Sequence, residues 1–156
     1  MNDVAKKILY KITHPLIRLY WRIFKPKTFG SRVLILCGKE VLLVKNMNVT
    51  RWSLPGGKTE KNETPLDCAK REIQEELGVE IHPLFQLGKY ISQKEGKRDT
   101  ISVFVAELKD KSFKKQWELS EAKWFDLDNL PSDTSPATSR RISEYKNGLK
   151  DIHTDW

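Results

Sequence analysis

Residues 57–79 read G-K-T-E-K-N-E-T-P-L-D-C-A-K-R-E-I-Q-E-E-L-G-V. Glu72, Glu75 and Glu76 stand at i, i+3 and i+4, so a helix carries all three on one face. Like charges at that spacing repel by about a few tenths of a kcal/mol per pair. A cation among them removes the penalty, and a hard divalent ion takes oxygen ligands of this kind. Three glutamates alone also fit a solvated helix face. The flanking positions separate the two readings. Five residues separate Gly57 from Glu63, and seven more separate Glu63 from the pair Arg71-Glu72. Ile73, Glu75-Glu76, Gly78 and Val79 complete a pattern of fixed spacing.

Thr64-Pro65 starts the helix, with a hydroxyl at the N-cap and a proline at the first position. Gly78 is placed for a left-handed C-cap, which ends the helix near Leu77. Leu66, Ala69, Ile73 and Leu77 form its buried stripe, centred about 115° from the glutamates. Core packing and acid display therefore use separate faces.

Upstream, Val33–Cys37 and Val41–Val44 flank Gly38-Lys39 and read as a buried hairpin with a two-residue turn. Arg51–Leu54 reads as a short strand running into Pro55-Gly56-Gly57, a loop whose backbone can approach a ligand closely. Downstream, Leu84–Ser92 and Thr100–Glu107 alternate as strands around a Gly96 turn, and Ala122–Leu127 as another. Ser135-Pro136 caps a last helix whose Ile142, Tyr145 and Leu149 face inward.

The chain of 156 residues has the size of one domain, with 38% hydrophobic and 31% charged residues, as expected of a soluble globular protein. Cys37 and Cys68 suggest no disulfide framework and read as reduced thiols of a reducing, cytoplasmic compartment. The net charge of +7 is concentrated. Residues 1–30 hold seven bases against Asp3 alone, a net +6, which leaves +1 for the rest. Residues 1–29 are set apart as a basic amphipathic helical extension, with helices near 3–12 and 15–24 broken at Pro15. No apolar run there reaches the eighteen or so residues of a membrane span. Three roles are open: helices packed on the domain, completing a homodimer; a peripheral membrane-surface anchor through residues 3–24, with Tyr20, Trp21 and Phe24 in the headgroup zone; or nucleic-acid binding, disfavoured because no known module is present. Residues 30–150 form the domain and 151–156 a tail.

The segment from Gly57 to Val79 resembles the Nudix box, and the resemblance extends over residues 30–149. The hairpin, W-S-L-P-G-G-K, the box helix, later strands and a final helix follow that family's order. It implies an α/β/α sandwich around a mixed β-sheet, and metal-dependent hydrolysis of a pyrophosphate bond in a nucleoside diphosphate linked to another group. It implies Glu72, Glu75 and Glu76 as ligands of Mg²⁺ or Mn²⁺, with the Gly57 carbonyl as a further donor and Glu72 as an alternative general base. Arg71 is expected to orient a box glutamate, and Glu63 to support that network or approach the metal. Glu118 or Glu121 would be a further acid or an ordinary surface residue. Gly56, Lys58 and Arg51 are candidates for substrate contact, Arg51 equally for a solvated base. Trp52 is assigned to the core rather than to base stacking.

The substrate is narrowed only by what is missing. The proline of some ADP-ribose relatives and the tyrosine of some dinucleoside-polyphosphate relatives are replaced around Lys94–Lys97, and no coenzyme A signature is present. W-S-L-P-G-G-K is similar to the MutT-like subgroup. Nucleoside triphosphates or nucleotide-sugars lead; hydrolysis at the 5′ end of RNA and non-catalytic nucleotide sensing are the alternatives.

Overall fold

The computed structural model describes residues 27–47, 49–93 and 98–156. The helices expected before residue 25, the anchor reading placed on them and the Gly96 turn lie outside that range.

The continuous apolar runs become two strands buried on both faces. β1 (Lys27–Cys37) and β2 (Glu40–Asn46) are antiparallel and joined through Gly38-Lys39, with Gly38 at φ 59°. An antiparallel pair with one wet face would alternate apolar and polar; here Val33 to Leu36 are all buried because both faces are covered. Val33, Ile35, Leu42 and Val44 pack against Ala69, Ile73 and Leu77 of α1 (Pro65–Leu77). Leu34, Leu36, Val41 and Leu43 pack on the other side with Trp52, Leu54 and Ile142 of α2 (Pro136–Lys146). The result is a helix on each face of one sheet, as the α/β/α reading requires.

β3 (Phe85–Ser92), β4 (Arg98–Glu107), β5 (Leu119–Asp126) and β6 (Ile152–Asp155) complete a six-stranded sheet in the order β5-β2-β1-β4-β3-β6. β1 runs parallel to β4 and β3 parallel to β6; the other neighbours are antiparallel, so the sheet is mixed.

α1 begins and ends where its sequence signals say. The Thr64 hydroxyl accepts from the Asp67 N–H at 3.1 Å, and Gly78 closes the helix at φ 64°. Its faces differ from the expected division. Leu66 is exposed, Cys68 takes an inner position, and Glu76 is buried. The loop before the helix explains this, since it covers the flank on which Cys68 and Glu76 lie.

Four further expectations are corrected. β1 starts at Lys27, so the last residues assigned to the extension are in the sheet. Arg51–Leu54 makes two isolated bridges, Val44 to Ser53 and Trp52 to Thr134, instead of a strand, because the segment bends to bury Trp52 against Phe125. Leu149 lies beyond α2 and is half exposed. Residues 151–156 are no loose tail: β6 pairs with β3, the Trp156 N–H donates to the Ile91 carbonyl at 2.9 Å, and the Trp156 ring meets Tyr90 edge-on at 5.8 Å.

Candidate active site

The site begins as a gap in the sheet. The β1–β2 ladder is registered at Leu36–Val41 and Cys37–Glu40, and towards its N-terminal end β1 takes the loop 55–57 as a neighbour. The Ser31 N–H donates to the Gly57 carbonyl and the Val33 N–H to the Pro55 carbonyl, each at 3.0 Å. The Ser31 hydroxyl donates to the Pro65 carbonyl at 2.6 Å, tying the start of α1 to the same strand. Gly56 sits at φ 126°, and a Cβ there would fall 2.3 Å from the Ser31 carbonyl oxygen. Only glycine lets the loop lie this close to β1.

Two box carboxylates close on that loop. The Gly56 N–H donates to Glu76 Oε2 at 2.9 Å. Glu72 stands against Gly57 so closely that a Cβ on Gly57 would lie 2.3–2.4 Å from its carboxylate atoms. Both acids are held above the ordinary carboxylate pKa. Burial pushes Glu76 up to about 7, against the opposing pull of the Gly56 N–H and the Arg32 charge. Burial raises Glu72 as well, opposed first by Arg71.

Arg71 is the hub of the remaining acids. Its Nε and Nη2 donate to the two Glu63 oxygens at 2.8 and 3.0 Å, a bidentate pair. Its Nη1 donates to Glu72 and to Glu75, both at 3.0 Å, and Nη2 also reaches the Lys58 carbonyl at 2.9 Å. The guanidinium holds Glu63 below its usual carboxylate pKa, with help from the Glu60 N–H.

The other candidates divide. Lys58 bridges to Gly30 and lines the groove beside the loop. Glu118 is exposed, and its charge adds a small upward push to Glu76, after burial and the charge of Glu72. Glu121 is drawn away into ion pairs with Lys123 at 2.7 Å and Lys45 at 3.6 Å. Arg51 is exposed next to Trp52, which is buried beneath Lys45 with the ammonium 4.5 Å from the ring centroid. The Gly57 carbonyl is engaged by the Ser31 N–H. Arg32 was not among the expected residues. Its one signal in the sequence is a charge immediately before the apolar run that starts at Val33.

Among the described residues, no group of three or more His, Cys, Asp or Glu side chains is arranged to hold a metal. The box explains why: Glu72 and Glu75 turn to Arg71, and Glu76 turns to Gly56. The donor set nevertheless suits a hard divalent ion. Glu72 and Glu76 are desolvated, the charge of Glu75 bears on Glu72 and that of Glu72 on Glu76, and their oxygens converge on a loop with no side chain in the way.

The spacing of the box, its helix and the glycine loop are now in place, and the family model for the NUDIX domain matches residues 27–145. The chain belongs to the NUDIX family. Members are pyrophosphohydrolases of nucleotide-type substrates and generally depend on divalent metal. This NUDIX chain is 30% identical over 128 residues to a Bacillus subtilis protein named as a candidate 8-oxo-dGTP diphosphatase, covering 81% of this chain and 85% of that one. It is 32% identical over 124 residues to mRNA-decapping enzyme subunit 2 of Arabidopsis thaliana, covering 78% of this chain but only 32% of that longer protein. The crystal structure of a MutT protein from Methanosarcina mazei superposes with a TM-score of 0.70 at 27% identity, over 80% of this chain and 96% of that one. No helix among the described residues is long and apolar enough to cross a membrane.

Proposed function

We propose that this NUDIX enzyme hydrolyses nucleoside triphosphates with Mg²⁺ or Mn²⁺, nucleotide-sugars being the next class. The observation that supports the reading most is the closure of Glu72 and Glu76 on the Gly56-Gly57 backbone. Two desolvated carboxylates beside an open loop would repel a pyrophosphate, so the site serves that substrate only with a cation between them. Glu72, Glu75 and Glu76 would hold it, and it supplies charge neutralisation and a more acidic water. The likeness to the candidate 8-oxo-dGTP diphosphatase and to the MutT protein favours triphosphates.

Arg71 keeps Glu72 oriented through Nη1 while Glu63 fixes the guanidinium in place. The Gly56 N–H stabilises the charged form of Glu76, the one that can accept a proton or a cation. Hydrolysis at the 5′ end of RNA is the second reading, favoured by the likeness to the decapping subunit and by the +6 of residues 1–30.

A substrate panel tests both. Nucleoside triphosphates, 8-oxo-dGTP, a UDP-sugar and 5′-triphosphorylated RNA are incubated with Mg²⁺ or Mn²⁺, and phosphate and pyrophosphate release is read. Turnover of a free triphosphate exceeding that of RNA is the expected result. Turnover confined to RNA transfers the assignment, and no turnover of any nucleotide overturns it.

A further inference from the structure

Arg32 lies on β1 and lines a groove with Thr28, Gly30, Gly57, Lys58 and Asp99. The parallel register sets Thr28 opposite Asp99, Gly30 opposite Ile101 and Arg32 opposite Val103. Side chains two apart on a strand share a face, so Thr28, Gly30 and Arg32 form one row beside Asp99 and Ile101. Gly30 lets the glycine loop close on this row: a Cβ there would come within 2.9 Å of the Gly57 carbonyl oxygen.

The two ends of the groove differ in charge. At the Gly57 end the Arg32 guanidinium is half-buried, its pKa lowered by desolvation and supported by the charges of Glu76 and then Glu72. Among the described residues it joins none of the ion pairs; the box acids bond to Arg71 and Gly56 instead. A desolvated guanidinium without a bonded anion, facing an open groove, presents a planar fork that fits a phosphate. At the other end Thr28 donates its hydroxyl to the Asp99 carboxylate. That carboxylate repels phosphate and accepts N–H or O–H donors. Four residues along a strand separate the ends, about 13 Å, enough for a nucleoside with its 5′-phosphate.

We infer that this groove is the subsite for the nucleoside monophosphate portion of the substrate. Arg32 binds the phosphate that stays on the nucleoside after hydrolysis, and Asp99 accepts a hydrogen bond from the nucleoside. The inference rests on the proposed hydrolase reading for the side of the groove that faces the scissile bond. It adds which way round the substrate lies, and a residue outside the box that holds it.

The test is calorimetry on the full chain without divalent metal, using the four common nucleoside 5′-monophosphates and their unphosphorylated nucleosides. The wild type should bind at least one monophosphate more tightly than its nucleoside. R32Q should weaken that monophosphate tenfold or more while leaving the nucleoside unchanged, and R32K should recover part of the loss. D99N should weaken nucleoside and monophosphate alike. Melting curves confirm folding, and Mn²⁺ titration separates substrate binding from support of the box acids. Equal monophosphate affinity in wild type and R32Q, no monophosphate binding by the wild type, or an R32Q effect confined to Mn²⁺ affinity would overturn the inference. Parallel turnover assays with Mg²⁺ keep the two readings apart. E76Q-sensitive turnover with no Arg32 effect sinks only the groove. Arg32-dependent monophosphate binding without turnover sinks only the hydrolase.

Discussion

The Gly56 N–H and the Glu76 carboxylate are joined at 2.9 Å across twenty residues of chain, and this bond fastens the glycine loop to the box helix. Glutamine at position 76 keeps an oxygen for Gly56 and loses the charge. E76Q should therefore remain folded, by far-ultraviolet circular dichroism, and lose metal-dependent turnover by orders of magnitude. Turnover within a factor of two of wild type would remove Glu76 from the chemistry.

The same acid makes stability depend on pH. Its folded pKa of about 7 lies above the ordinary carboxylate value, so the folded state binds the proton more tightly than the unfolded chain does. That contribution is complete below about pH 4.5, and it is lost as pH rises through about 7. The shift corresponds to on the order of 3 kcal/mol. With EDTA present, the melting temperature of the wild type should fall between pH 5 and 8 relative to E76Q. Parallel curves for the two proteins would contradict the assignment.

Gly57 is required by proximity. A methyl group at this position would occupy the space of the Glu72 carboxylate, 2.3 Å away. G57A should displace Glu72 from the loop, raise the Mg²⁺ concentration needed for half-maximal activity and destabilise the fold by about 1–3 kcal/mol. Magnesium titration of activity and urea unfolding check the two parts.

Arg71 holds three acids with a fork that lysine does not possess. R71K should lose the bidentate pairing with Glu63 and behave closer to R71A than to wild type. Because the pair is partly solvated, the stability loss should stay at about 1 kcal/mol or less. The loss of activity should be far larger, and comparing kcat with unfolding free energy for both variants decides it.

A second arginine is structural. Arg141 is 1% exposed, lies over the Tyr90 ring at 3.7 Å, donates to Glu144 at 2.7 Å and reaches the Asp155 carbonyl of β6 at 3.3 Å. The Tyr90 hydroxyl also donates to Glu144, at 2.8 Å. Removing the cation leaves that carboxylate poorly compensated, so R141A should cost about 3 kcal/mol. Hydrogen exchange should show β6 opening first.

The box helix was legible because its signals are local. Thr64-Pro65 and Gly78 mark its ends through bonds within four residues, and the glutamate spacing needs no knowledge of the rest. The hairpin was legible because Val33–Cys37 and Val41–Val44 are apolar on both faces. What escaped depends on distant chain. Glu76 looks like a surface acid until the loop 55–57 covers it, and Leu66 looks like core until the loop leaves it outside. β6 has one aliphatic residue, Ile152, and owes its strand to the open edge of β3. Arg32 reads as a charge immediately before an apolar run, and the groove it lines exists only once β4 lies alongside.

The pairing of Thr28 with Asp99 joins residues 71 apart, and Leu36 with Glu107 an equal distance. Parallel pairing over such a separation closes a long loop before any contact rewards it, which makes it a slow step in folding. The hairpin and the box helix can form early from nearby chain. β4 arrives afterwards, so the acidic half of the site is assembled before the wall that completes the groove. On a ribosome the carboxylates would be gathered tens of residues before the strand carrying Asp99 emerges.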